Sequence, residues 1–528
     1  MLSPMPSPPD RLQGLPTRAR QLAQRGQQCI LERDHAQAIA LLGEAIAASP
    51  KHPELLRLRA LIEVREGRAG AAIELFRSAA QGWPDDGLLA SNLGAALAQH
   101  GDMDDALRTL ERATELDPTL LDAWLNLARV RELRADAAGA HAALSAVLEL
   151  DPEHRPARIL RADALKTLGR IDDAESELRT VLQSDPDSVS AWVALVNLKS
   201  FQANAEDLRH LERLYSNAAS TAAQRIDIGF SYAQVLEAAG DYAQALEVFN
   251  AVNAAKRKTL RWDPAAVSDL IDRILAAFAS TEHAPDEPKR GNDIVFLVGM
   301  PRSGSTLAEQ ILAAHPAARA GSETGLVAQL LQQESQRRRL RFPEWIGQAT
   351  DADWKRLGND YLEQVAPLRG DAAIFTDKTL TNWQTLGAIR RMLPGARVVH
   401  CVRDPLETAW SCYKHHFARD QLYSYDIAEL AAFFRDEERA MRFWIARHPA
   451  WIHEHSYERL VAEPSATIES LLEYCGLDFD PACLRFHEAG REVRTASAAQ
   501  VRRPLRGDTA VARHYGALLD PLRAALQR

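Results

Sequence analysis

The run GMPRSGSTL, residues 299–307, concentrates the residues best suited to chemistry. Gly299 and Gly304 bracket four residues, Arg302 stands inside the bracket, and Ser303, Ser305 and Thr306 supply hydroxyls. Ahead of it, Ile294 to Val298 (IVFLV) is a short apolar run of the kind buried in a parallel sheet. Behind it, Leu307 to Ala314 resumes at helical spacing. Strand, small-residue loop and helix start make an anion cradle, because backbone N–H groups and the positive end of the helix dipole face the same point. The chemistry implied is the holding of a phosphate.

The spacing Gly299, four residues, Gly304 matches the phosphate loop of nucleotide hydrolases, which continues with lysine and then serine or threonine. Here Ser305 and Thr306 occupy those places, so the loop's cation is Arg302 instead. A second stretch, ARVVHCVRDPLETAWSCYKHH, reads as a buried strand (Ala396 to Val402), a cap and first-turn pair (Asp404, Pro405) and a helix. The eight-residue step from Arg403 to Ser411 sets both at one rim of the sheet's carboxyl end, where doubly wound folds bind ligands.

With arginine in place of lysine, GMPRSGSTL resembles the 5′-phosphosulfate-binding loop of sulfotransferases, which use 3′-phosphoadenosine 5′-phosphosulfate (PAPS) as co-substrate. Among them the protein-tyrosine sulfotransferases are the most similar. The resemblance implies an α/β P-loop-like fold with a parallel sheet, and it implies roles. Glu323, in HPAARAGSETG, corresponds to the catalytic base, although Ser322 and Glu323 also have the form of a helix cap. Lys378, in TDKTLTNW, corresponds to a lysine at the bridging oxygen of the leaving group. Arg302, Ser303, Gly304, Ser305 and Thr306 would hold the 5′-phosphate and the sulfonate. Arg403 and Ser411 match the 3′-phosphate site, and Tyr457, Ser497 and Arg503 match further cofactor-contacting positions. Two departures stand out: His415 where the tyrosine-sulfating enzymes have arginine, and Arg503 where lysine is usual. Side-chain cations do the neutralising, so no metal is expected. A nucleotide kinase or hydrolase with a variant loop, and a non-catalytic repeat adaptor, are the alternative functions.

These pieces run from Asp293 to about Leu522, the second half of the chain. The first half is an array. Pro50, Pro84, Pro118, Pro152 and Pro186 recur every 34 residues; Ala72, Ala106, Ala140 and Ala174 share one phase, and Ala60, Gly94, Ala128 and Ala162 another. Small residues at two fixed points of a helix pair let the backbones approach where their ridges cross. The pattern resembles the tetratricopeptide repeat over residues 18–260, with about five well-phased units and a degenerate sixth around Ala245, and the register slips between Pro186 and Phe230. Each Asp-Pro is expected to start the next unit, the aspartate capping it. An all-α solenoid of this kind presents a concave groove able to hold a polypeptide, and Trp124 and Trp192 are expected in its core or wall. Residues 280–293 are polar, carry two prolines and read as a linker, with the sulfotransferase domain at 294–528.

Composition bounds the rest. A chain of 528 residues with 46% hydrophobic and 26% charged residues is globular and multidomain. No apolar window reaches the length of a membrane span, and the amino terminus lacks an apolar signal core. The five cysteines lack metal-ligand spacing, so a reducing cytoplasm is expected. Basic and acidic residues balance from Gly291 onward, which leaves the net charge of −9 in the first half and argues against a nucleic-acid partner there.

Overall fold

The computed structural model describes residues 10–198, 201–279, 287–417, 421–488, 504–505, 507 and 510–527. Its contacts divide the chain into two compact units, Met1–Pro186 and Asp187–Arg528.

The first unit is a run of antiparallel helix pairs: α1 (Thr17–Leu31) with α2 (His35–Ala48), α3 (Pro53–Arg65) with α4 (Ala69–Gly82), α5 (Gly87–His100) with α6 (Met103–Leu116), α7 (Leu121–Leu133) with α8 (Ala137–Leu150), and α9 (Arg155–Thr167) with α10 (Ile171–Ser184). The phased small residues do what their spacing implies. Ala72, Ala106, Ala140 and Ala174 are buried, as are Ala60, Ala128 and Ala162, and a Cβ added at Gly94 would lie 2.5 Å from Leu110 Cγ. Trp124 is half-buried and donates to the Pro118 carbonyl at 2.9 Å. The Asp-Pro pairs differ from expectation, because they end helices instead of starting them. Asp117, Asp151 and Asp185 are the C-cap residues of α6, α8 and α10, and the carboxylates of Asp117 and Asp151 accept from the N–H groups of Thr119 and Glu153. Proline cannot continue a helix, and aspartate satisfies a turn locally, so the pair suits a stop.

The second unit opens with the helices where the 34-residue register slips. α11 (Val189–Val196) is only 8 residues long, and α12 (Ala205–Ser216) precedes the long pair α13 (Ala222–Ala239) and α14 (Tyr242–Arg257), followed by α15 (Pro264–Ala279). Of the linker stretch, 280–286 lie outside the described residues; 287–293 form turns in which Arg290 Nε donates to the Met392 carbonyl at 2.8 Å.

The sheet has five parallel strands, β1 (Ile294–Gly299), β2 (Ala318–Ala320), β3 (Ile374–Asp377), β4 (Arg397–Val402) and β5 (Ile452–Ser456), in the order β2-β3-β1-β4-β5. Every residue of β1 is buried, as a central strand covered on both faces must be. On one face Val295, Leu297, Val399 and Cys401 pack with α16 (Ser305–Ala313) and α23 (Pro464–Cys475), which follows the short α22 (Tyr457–Ala462). On the other, Phe296 meets Tyr361 of α18 (Asp351–Arg369), which lies between α17 (Leu326–Arg338) and α19 (Leu386–Met392). Also on that side His400 shares a 2.7 Å hydrogen bond with Glu437 of α21 (Ile427–Arg447), which follows α20 (Pro405–Tyr413). The chain leaves β1 toward β2 and leaves β4 toward β5, so the strand order reverses between β1 and β4. Ligands of doubly wound sheets bind at the carboxyl ends of such a switch point. Among the described residues no helix is long and apolar enough to cross a membrane.

Helices α14 and α15 bury aromatic residues of the sheet domain: Phe249 meets Trp410 and Phe278 meets Trp354 and Trp444, with Trp262, between the two helices, against Tyr423 and Phe433. A chain beginning at Gly291 would bare that face, which is expected to make it self-associate, whereas one beginning at Asp187 keeps the unit whole. Light scattering of the two purified fragments tests this; a monomeric, cooperatively unfolding Gly291 fragment overturns it.

Candidate functional site

All five strands deliver a candidate residue at their carboxyl ends: the 299–306 loop after β1, Glu323 after β2, Lys378 after β3, Arg403 after β4 and Tyr457 after β5. They fall into two groups on either side of β1.

The first group surrounds the loop at the switch point. Gly299 takes φ +135°, and a Cβ there would lie 2.6 Å from the Cys401 carbonyl oxygen, so only glycine lets the chain turn so close to β4. Gly304, at φ +96°, is the N-cap of α16 and lies against the Tyr457 ring. Arg302 also sits in the left-handed region, at φ +70°, a conformation that non-glycine residues rarely adopt and that clusters at functional sites. Its Nε donates to Ser411 Oγ at 3.0 Å, joining residues 109 apart in sequence. Burial, with the nearby charge of Arg403, pulls the Arg302 guanidinium below its usual value. Arg403 stacks on Tyr457, its guanidinium carbon 4.7 Å from the ring centroid. Ser303, Ser305 and Thr306 are buried, and Ser303 Oγ has no hydrogen-bond partner among the described residues. A buried orphan hydroxyl beside a helix N-terminus and two arginines fits a phosphate or sulfonate group, which would satisfy it. His415, which replaces the family's arginine, packs edge-on to Phe417, with ring centroids 4.5 Å apart.

The second group is a carboxylate and an ammonium. Lys378 Nζ donates to Glu323 Oε1 at 2.8 Å; the lysine side chain is 1% exposed and the glutamate 58%. Glu323 does not cap α17, whose N-cap is Gly325 without any side-chain cap bond, so the capping alternative falls away. What holds the pair was not evident from the sequence. Asp377 is fully buried and accepts from Thr324 Oγ1 (2.6 Å), Tyr361 OH (2.9 Å), Thr379 Oγ1 (2.7 Å) and Thr379 N–H (3.0 Å), which fastens the turn after β3. Glu309 of α16 is also buried, accepting from Ser322 N–H at 3.0 Å and Thr376 Oγ1 at 3.2 Å, while Lys378 N–H donates to the Ser322 carbonyl at 2.8 Å. Ser322 thereby keeps a left-handed φ of +57°, directly before Glu323. One signal was available for Glu309: it is the charged residue within LAEQIL, a turn whose neighbours Leu307, Ala308, Ile311 and Leu312 all pack in the core. Burial pushes the Cys401 thiol up to about 12 against the pull of Lys378, so the thiol beside this group stays neutral. Ser497 and Arg503 lie outside the described residues.

Residues 294–481 match the family described as Sulfotransferase family, and residues 32–87, 63–130 and 133–198 match tetratricopeptide repeat families. The matches thus place tetratricopeptide-repeat sequence ahead of a stretch similar to the sulfotransferase family. An uncharacterized protein of Aquifex aeolicus is 28% identical over 375 residues, which are 69% of this chain and 49% of that protein, so the chain spans about half of its length. Protein-tyrosine sulfotransferase 1 of Danio rerio is 26% identical over 218 residues, 40% of this chain and 60% of that protein. Protein-tyrosine sulfotransferase A of Caenorhabditis elegans is 20% identical over 274 residues, 48% of this chain and 69% of that protein.

Replacing Glu309 by alanine strands the Ser322 N–H and the Thr376 hydroxyl, and the expected loss of stability is about 1–3 kcal/mol by denaturant titration. Glu309→Gln keeps an acceptor oxygen at the same place and should lose less. Equal losses for the two variants would return Glu309 to a packing role.

Proposed function

We propose that the protein transfers a sulfuryl group from PAPS to an acceptor hydroxyl, a protein tyrosine being the acceptor favoured by its relatives. The observation that carries this reading is the meeting of Arg302, Ser411 and Arg403 at the switch point, around a loop whose Ser303 hydroxyl is buried and unsatisfied. On this reading the helix start and Arg302 hold the 5′-phosphate and the sulfonate, Ser303, Gly304, Ser305 and Thr306 offering their N–H groups. Arg403 and Ser411 hold the 3′-phosphate, with Tyr457 bracing Arg403 from its stacked position. Ser497 and Arg503 would complete that end.

Sulfuryl transfer asks for alignment, neutralisation of the non-bridging oxygens and a base for the acceptor. The acceptor oxygen attacks sulfur while the bond from sulfur to the 5′-phosphate oxygen breaks. Glu323 takes the acceptor's proton, and Lys378 stabilises the charge that gathers on the leaving oxygen, so that 3′-phosphoadenosine 5′-phosphate (PAP) departs. The 2.8 Å contact between Lys378 and Glu323 favours this division of labour, because the base and the charge stabiliser then stand one hydrogen bond apart where the donor and acceptor oxygens must lie. Glu323 is the exposed member of the pair, as a group that meets an incoming substrate has to be. The repeats offer a groove for a polypeptide partner, and the five described cysteines, all buried and unpaired, suit a reducing compartment such as the cytoplasm.

Two measurements test the reading. Calorimetry with PAP should give the same affinity with and without a chelator, since Arg302, Arg403 and Lys378 supply the cations; magnesium ATP binding as tightly or tighter would hand the site to the kinase alternative. Glu323→Gln should lower transfer of radiolabelled sulfate from PAPS to tyrosyl peptides or host proteins by on the order of 10² to 10⁴, with PAP affinity nearly unchanged. Undiminished turnover in that variant removes Glu323 from the base role.

A further inference from the structure

Ser411 is presented by α20, and α20 is gripped from behind by α13 and α14, the helices of the degenerate sixth repeat. Glu237 is the centre of the grip. Its carboxylate accepts from Trp410 Nε1 at 3.3 Å, from Lys414 Nζ at 2.6 Å and from Tyr515 OH at 2.9 Å. Trp410 directly precedes Ser411, and Lys414 is the C-cap of α20, so two of the three donors bracket the turn that carries the serine. The third comes from the short helix Ala512–Tyr515, whose Tyr515 ring also meets Trp410 edge-on with centroids 4.5 Å apart.

The position of Glu237 is informative in itself. It lies in the last turn of α13, which ends at Ala239 before the left-handed Gly240. A carboxylate there faces the negative end of the helix dipole, an unfavourable placement, and three converging donors offset it. The rest of the contact continues the grip along α20. Asn253 of α14, fully buried, donates from Nδ2 to the Tyr413 carbonyl at 3.0 Å, and Tyr413 OH donates to Asn250 Oδ1 at 2.8 Å. From the loop after β1, α20 receives the 3.0 Å hydrogen bond from Arg302 Nε to Ser411 Oγ, and Cys412 Sγ donates to the Pro301 carbonyl at 3.2 Å. What fixes the helix from behind thus shares in setting the orientation of that hydroxyl.

We propose that Glu237 is a positioning residue of the nucleotide site, setting α20 so that Ser411 and Arg302 together recognise the 3′-phosphate. The last helix pair of the array is then part of the donor-binding machinery. This rests on the assignment of Ser411 to the 3′-phosphate made above, and the test separates the two. It uses the full chain, titrated by calorimetry with PAP and with adenosine 5′-monophosphate, which lacks the 3′-phosphate. The readout is the ratio of the two affinities, which a general loss of structure does not change.

Ser411→Ala and Glu237→Ala are each expected to weaken PAP by roughly tenfold or more, the worth of one well-placed phosphate donor, with little change for the monophosphate. Glu237→Gln, which keeps acceptors for Trp410 and Tyr515 but loses the charge facing Lys414, should fall between. A native ratio in folded Glu237→Ala alongside a collapsed ratio in Ser411→Ala overturns the positioning role and spares the site. Equal weakening of both nucleotides in folded Glu237→Ala also overturns it. A native ratio in both variants removes the 3′-phosphate assignment and the inference with it. Should Glu237→Ala not fold, Lys414→Met is read in the same way: a reduced ratio supports the proposal and a native one overturns it.

Discussion

The carboxyl edge of the sheet is organised around an enclosed guanidinium group. Arg302 is half-buried, and this enclosure, more than the field of Arg403, lowers its guanidinium, while Arg403 stands 3.9 Å from the Glu407 carboxylate. The surroundings show how the pair is tolerated. Arg403 lies over the Tyr457 ring, which attracts a cation through its quadrupole, and Arg302 donates to Ser411. Gly299 and Gly304 let the loop pass close to β4 and Tyr457 without side chains in the way. Each device keeps the two guanidinium groups at the same end of the sheet.

On the other side of β1 the signs reverse in emphasis. Lys378 is almost completely enclosed and pairs with the exposed Glu323, while the buried carboxylates of Asp377 and Glu309 tie down the turns on which those two residues stand. The site is thus polarised along the sheet edge: guanidinium groups between β1 and β4, and an ammonium–carboxylate pair beyond β1 at β3 and β2. On the proposed function, the donor's 3′-phosphate would lie toward β4 and its reacting end toward Glu323. β1 separates the two groups, and α16, which begins in the loop after it, carries Glu309 to the second.

Much of this was legible in the sequence, and the illegible part has a common physical character. Glycines, arginine and hydroxyls in tight local order announce an anion loop, since the loop's function depends on backbone geometry that few residues permit. Arg403 and Ser411 were recoverable because a strand and a helix of known period fix their relative placement. Glu309 and Asp377 were not read, because their function is to receive donors from segments far along the chain, such as Ser322 and Tyr361, and no local pattern encodes those meetings. The Asp-Pro pairs were misread as helix starts for a related reason. Both residues are compatible with either end of a helix, and only the Asx turns at Asp117 and Asp151 decide between them.

The same reasoning explains why the 34-residue period decays where it does. A repeat keeps its phase only while its neighbour is another repeat, because each small residue answers an identical ridge in the next helix. After Pro186 the neighbours change. Phe249, Trp262 and Phe278 stand where they can pack on Trp410, Phe433 and Trp444, and Glu237, Asn250 and Asn253 reach polar groups of α20 or just beyond its end, none of which recurs at any fixed interval. Loss of periodicity is therefore the positive signature of a non-repeating partner, and here that partner is the helix that presents Ser411. The slip of register at Pro186, which in the sequence looks like decay of the array, marks the point at which repeat helices were taken into the fold of the sheet domain.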